Sequence, residues 1–146
     1  MALKITLKPC ERIIIDGAVV TNGNTTTDLV IENNIPILRE KNIMSSSDAF
    51  TPCRRVYFVI QLMYFDAENL ETHHKSYWTL VQDLVQAAPS LLGLIDQINE
   101  HILNSEYYQA LKIAKELINY EEEVLDRVQE CAKDIPGHGQ RDHVRP

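Results

Sequence analysis

Long apolar runs are missing from this chain of 146 residues, and so are clusters of lysine or arginine. No segment approaches the ~18–20 unbroken apolar residues of a membrane span. The opening MALKITLKP alternates polar and apolar residues and lacks the apolar core of a signal peptide. With Lys and Arg at 14 against 21 Asp and Glu, the net charge is −7, and the pI is about 5.2. Nucleic acids are gripped mainly by cations that neutralise phosphates, so this balance weighs against an autonomous, tight RNA binder without excluding a local basic patch. Cysteine is scarce and odd in number: Cys10, Cys53 and Cys131 lie far apart, which suits reduced thiols and not a disulfide framework. Glycine numbers only five, and Gly17 and Gly23 fall in turn-like surroundings. There is no G-x-S-x-G, H-E-x-x-H, Walker loop or Rossmann fingerprint, so no catalytic residue, cofactor or metal site is expected. The chain reads as a cytoplasmic protein.

What is present is enough apolar material, 45% of residues, to build one compact domain or a small domain joined to a helical one. The expected fold class is α+β: a small, mostly antiparallel sheet or barrel over 1–48, then about four helices over 49–133 packed with it, and a disordered tail over 134–146. Lys4 to Leu7 alternates as a strand does and ends at Pro9. Arg12 to Ile15 and Ala18 to Val20 flank Asp16-Gly17, a strong two-residue hairpin signal. Leu29 to Ile31 and Ile37-Leu38 give two further strands.

Ser45 to Asp48 reads as a polar connector. Thr51 is a good N-cap and Pro52 suits the first helical position, which predicts a helix to about Phe65. Helical periodicity recurs from Leu70 to Ala87, from Leu91 to Leu103, and from Glu106 to about Lys133, with Asn104-Ser105 as the cap of the last helix.

Three blocks carry a family resemblance: LKITLKPCERIIIDGAVV, TPCRRVYFVIQLMYFDAEN and EYYQALKIAKELINYE. In this order and spacing, over residues 3–130, the chain resembles the FlbT family, flagellum biosynthesis regulators of alphaproteobacteria. That resemblance implies a post-transcriptional regulator that associates with the untranslated leader of flagellin mRNA and alters its translation or decay. It also implies a FlaF-like companion and a link to flagellin. Some relatives repress and others activate. Cys10 stands where the family's KPGER-like turn has glycine, and a cysteine there speaks against a positive φ. A shorter likeness, CERIIIDGAVV with LVIENNIPILREKNI, is similar to β-stranded RNA regulators of the carbon-storage type, in which an arginine placed like Arg39 meets the RNA.

From the residues themselves, Lys4, Lys8, Arg12, Arg39, Lys41, Arg54 and Arg55 are the candidate RNA-binding set, although no exposed stacking aromatic is identifiable beside them. Arginine in a first helical turn is opposed by the macrodipole by roughly 0.3–1 kcal/mol, so Arg54 and Arg55 call for an anion. It is either a phosphate or a nearby carboxylate: Asp48, Glu40 or an acid of the last helix. On the same helix Val56, Val59, Ile60 and Met63 form one apolar face and Phe58, Leu62 and Phe65 another. Such a helix is buried in a bundle or lies at a partner or homo-oligomer interface. Cys53 is either a thiolate sensor at a helix head or a buried apolar cysteine. His73-His74 point about 100° apart on a helix and read as exposed, as do the tail residues His138 and His143. Glu121 to Glu123, followed by Asp126 and Glu130, form an acidic face that would repel RNA and could receive a basic protein segment.

Overall fold

The computed structural model describes residues 2–134. Five strands precede four helices: β1 Leu3–Leu7, β2 Arg12–Ile15, β3 Ala18–Thr21, β4 Thr27–Ile31, β5 Ile37–Arg39, α1 Pro52–Phe65, α2 Leu70–Ala87, α3 Leu92–Leu103 and α4 Tyr107–Asp134. The expected α+β class, with small antiparallel sheets followed by helices, is what the chain adopts. Asp134 closes α4, and the remainder of the expected tail, with His138 and His143, lies outside the described residues. The chain divides into two compact units, Met1–Asp83 and Leu84–Pro146.

In the first unit the strands make two sheets, β1 with β4 and β3-β2-β5, all antiparallel. Strand alternation sends Ile5, Leu7 and Ile13 into one buried cluster, against which Ile15, Leu29, Ile31 and Ile37 pack. Both sheets contribute to that cluster, so their apolar faces meet. The β2–β3 hairpin closes through Asp16 at φ 50° and Gly17 at φ 89°, the paired positive values of a type I′ turn.

The turn between β1 and β2 departs from the sequence reading. Cys10 adopts φ 63°, in the left-handed region that cysteine was expected to avoid. Pro9 and Cys10 occupy the centre of a four-residue turn in which Glu11 N donates to Lys8 O at 3.1 Å. Proline followed by a positive φ is the type II pattern, which favours glycine at the second position. The surroundings impose this conformation: Cys10 N donates to Gly23 O at 2.8 Å, and Asn22 Nδ2 donates to Lys8 O and Thr25 O.

Helix α1 begins as expected, with Thr51 Oγ1 accepting from Arg54 N at 3.2 Å. Cys53, Val56, Ile60 and Met63 are buried along one face, which settles Cys53 as the apolar, buried cysteine. A second row, at i, i+4 and i+7, is polar-tipped. Tyr57 Oη donates to Asn42 O at 2.7 Å, and Gln61 both accepts from Met44 N and donates to Met44 O, each at 2.9 Å. Tyr64 Oη accepts from Ile37 N at 3.3 Å. These side chains give the backbone of 37–44 the partners that a neighbouring strand would otherwise supply.

The second unit is a helical hairpin, α3 against α4. Ile95, Ile98 and Ile102 of α3 are buried, as are Ala110, Leu111, Ala114, Leu117 and Ile118 of α4. Asn104-Ser105 was expected to cap α4, but it terminates α3 instead. Ser105 takes φ 59°, Ser105 N donates to Ile102 O, and Glu106 N donates to His101 O at 2.8 Å. That pair of bonds is a Schellman motif with serine where glycine is usual.

Candidate nucleic-acid and partner interface

Three of the seven candidate cations are held by carboxylates within the strand region. Lys4 lies 3.7 Å from Asp28, its neighbour across the β1–β4 ladder. Arg12 lies 3.7 Å from Glu40, which also accepts from Arg12 N at 2.8 Å. Arg39 is the most committed. Its Nη2 donates to Thr6 O at 2.7 Å and to both oxygens of Glu11 at 3.2–3.3 Å. Glu11 in turn accepts from Lys8 N at 2.8 Å. That backbone bond, with the Arg39 guanidinium beside it, holds the Glu11 carboxyl below the usual carboxylate range. Arg39 thus ties β5 to β1 and to the strained turn.

The side chains of Lys8, Lys41 and Arg55 are exposed and take no part in these ion pairs. Arg54 is half-buried, with its guanidinium 5.0 Å from the centre of the Phe50 ring. Glu40 is engaged with Arg12, and Asp48 closes a capping box on Ser45. Phe50 is 66% exposed, so an accessible aromatic does stand beside a cation, contrary to the sequence reading. A stacked arginine–aromatic pair is common at surfaces and is worth roughly 0.5–1 kcal/mol there. The candidate partner residues Phe58, Leu62 and Phe65 are half-buried.

Sequence reasoning missed the grip of Tyr57, Gln61 and Tyr64 on the 37–44 segment. Their i, i+4, i+7 spacing inside an otherwise apolar helix was the available signal. It also misplaced the histidine pair: His73 and His74 are both half-buried, and His73 donates from Nε2 to Asp66 Oδ2 at 3.0 Å. Asp66 accepts from Asn69 Nδ2 as well, at 3.0 Å. The Asn69 bond first, then the His73 bond, holds the Asp66 carboxyl below its ordinary range. Among the described residues no group of three or more His, Cys, Asp or Glu is placed to hold a metal ion. No helix there is long and apolar enough to cross a membrane.

Paired charges in the strand region and an exposed aromatic beside Arg54 belong to a small α+β protein. The family model described as flagellar protein FlbT matches residues 3–125, and the chain belongs to the FlbT family. A probable flagellum biosynthesis repressor protein FlbT 1 of Bradyrhizobium diazoefficiens is 46% identical over 125 residues, covering 85% of each chain. A probable flagellum biosynthesis repressor protein FlbT of Rhodopseudomonas palustris (strain TIE-1) is 39% identical, over 87% of this chain and all of its own length. The flagellum biosynthesis repressor protein FlbT of Caulobacter vibrioides is 37% identical over 130 residues, 88% of this chain and 92% of its own. These relatives are named as repressors of flagellum biosynthesis. No solved structure matches the chain.

Proposed function

We propose that the chain is a repressor-class regulator of flagellum biosynthesis that acts after transcription, associating with the leader of flagellin mRNA and changing its translation or decay. Its relatives' names supply the regulatory role. The observation that carries an RNA-facing surface is the exposed Phe50 ring beside Arg54, with Arg55 on the following turn position and Lys8 and Lys41 outside the ion pairs. Aromatic faces and nearby cations are what single-stranded RNA uses. Lys4, Arg12 and Arg39 hold the strands together and join the contact only at the cost of those pairs.

The same pairing favours a second reading, in which the chain is an adaptor that binds flagellin or a FlaF-like regulator and affects the message only indirectly. Gel retardation of a labelled flagellin leader separates the two. Direct contact gives a shift that steepens at low salt, as phosphate neutralisation releases counterions. Phe50→Ala and Arg55→Ala weaken that shift while leaving the thermal melt in place. Absence of any shift at micromolar protein, together with co-elution of flagellin or the FlaF-like protein, replaces the first reading with the second.

A further inference from the structure

The α3–α4 hairpin is unequal in length. Helix α3 ends its cover of α4 near Tyr120, because Ser90 Oγ, just ahead of α3, meets Tyr120 Oη at 3.4 Å. Helix α4 continues to Asp134, about 20 Å further at 1.5 Å per residue. The apolar stripe does not stop where the cover stops. At about 100° per residue, Leu125 falls in line with Tyr107 and within ~20° of Ala114 and Ile118, and Val128 falls in line with Ala110. Ala110, Ala114 and Ile118 are buried, whereas Leu125 is 50% and Val128 60% exposed.

Charge says what fits there. From Glu121 to Asp134 six acids stand against two bases. Asp126 borders the Leu125 row, while the Arg127–Glu123 pair, at 3.7 Å, sits on the far side of the helix. A second copy of this helix would set acid against acid along the same border. A partner helix bearing an apolar ridge edged with lysine or arginine meets both features at once.

We propose that the part of α4 beyond Tyr120 is a docking surface for a basic amphipathic helix of another protein, with Leu125 and Val128 as the apolar contacts and Asp126 as a bordering anion. The proposal does not depend on whether RNA is touched directly.

The test uses the full chain and a fluorescent leucine–lysine peptide of about four helical turns, matched to the length of α4 beyond Tyr120. Controls are a scrambled peptide of equal composition that cannot form an apolar face, and a leucine–glutamate version. The amphipathic basic peptide binds the chain, and the scrambled and acidic peptides bind at least roughly tenfold more weakly. The double variant Leu125→Ala/Val128→Ala, which keeps every charge, weakens binding by roughly tenfold or more, the order expected for two lost apolar contacts. Asp126→Lys weakens it further at low salt. Peptide-induced amide protection on the unmutated chain falls within 121–129, a readout that does not depend on any variant folding. Equal binding of the scrambled peptide overturns the proposal, as does unchanged binding by the double alanine variant or protection outside α4. Concentration-dependent dimerisation abolished by the double variant also overturns it, since it makes a second copy the occupant.

Discussion

The two units of this chain are held by different chemistry. In Met1–Asp83 the strands are short and their cluster is small, so polar side chains do much of the joining. Arg39 crosses from β5 to Thr6 O and Glu11, Asn22 reaches three carbonyls, and Gln61 clasps both backbone groups of Met44. In the α3–α4 hairpin, backbone groups are satisfied within the helices and the joining is apolar, residue against residue along one stripe. The lesson concerns charge. Three of the cations that read as a patch in the first unit are its ties, while acids in the second border a row that packing leaves partly open.

The largest effect is expected in the hairpin. Leu117 is fully buried, and Leu117→Ala removes transfer energy and leaves a cavity, costing about 2–5 kcal/mol by urea unfolding. The matching loss in the first unit is Gln61→Ala. It deprives the part-buried N–H and C=O of Met44 of their partners, at up to about 1–3 kcal/mol, the range for a group left unsatisfied. If Gln61→Ala proves neutral while Leu117→Ala does not, the first unit is not held by its polar ties and the contrast fails.

Arg39 sharpens the contrast because two roles compete for it. Arg39→Lys keeps the charge but loses the fork that reaches Thr6 O and both Glu11 oxygens. A structural tie predicts a loss of about 1 kcal/mol in stability, within the range for a hydrogen bond to a charged group partly open to solvent. It also predicts that RNA retardation, where present, is unchanged once the variant is folded. An RNA contact through charge predicts the reverse for Arg39→Ala: intact stability and a weaker shift.

The second unit and the helix heads were readable in the sequence because their signals are local. Thr51-Pro52 marks a helix start by its own chemistry, and the periodicity of α2 and α3 reports a face regardless of what covers it. The Asp16-Gly17 hairpin was legible for the same reason. What the sequence hid depends on partners distant in the chain. Nothing local in Lys4, Arg12 or Arg39 reveals Asp28, Glu40 or Glu11. Cys10 is the sharpest case. Its residue type argues against φ 63°, but hydrogen bonds from the Asn22–Thr25 loop override that preference. Ser105 shows the same inversion at the end of α3, where two backbone bonds hold a non-glycine in the left-handed region.

Those two positions allow one substitution to be compared across the units. A left-handed non-glycine costs roughly 1–2 kcal/mol, and glycine gives back about 0.4–1 kcal/mol through the freer unfolded chain. Cys10→Gly and Ser105→Gly should therefore each stabilise by up to about 1 kcal/mol, read as a rise in melting temperature. Destabilisation at Cys10 alone would mean that its side chain, not its backbone, holds the turn.

The smallest effect expected is on the acid limb of the stability curve, through two carboxylates of the first unit. Glu11 and Asp66 both have carboxyls held below their ordinary 4.5 and 3.8 in the folded chain. Between each lowered value and its ordinary one, the unfolded chain binds more protons than the folded chain, so stability rises with pH there. Each contribution is complete above the ordinary value and fades as pH falls through the folded one. Denaturant melts taken from pH 5 downward should show this decline. Glu11→Gln should flatten the part due to the Lys8 backbone bond and Arg39, and Asn69→Ala the part due to the principal bond on Asp66. Because both carboxylates lie near the surface, salt should shrink the Arg39 share more than the backbone share. An acid limb unchanged by either substitution would return the strand region to apolar packing as its main support, and the distinction between the two units would narrow to one of length alone.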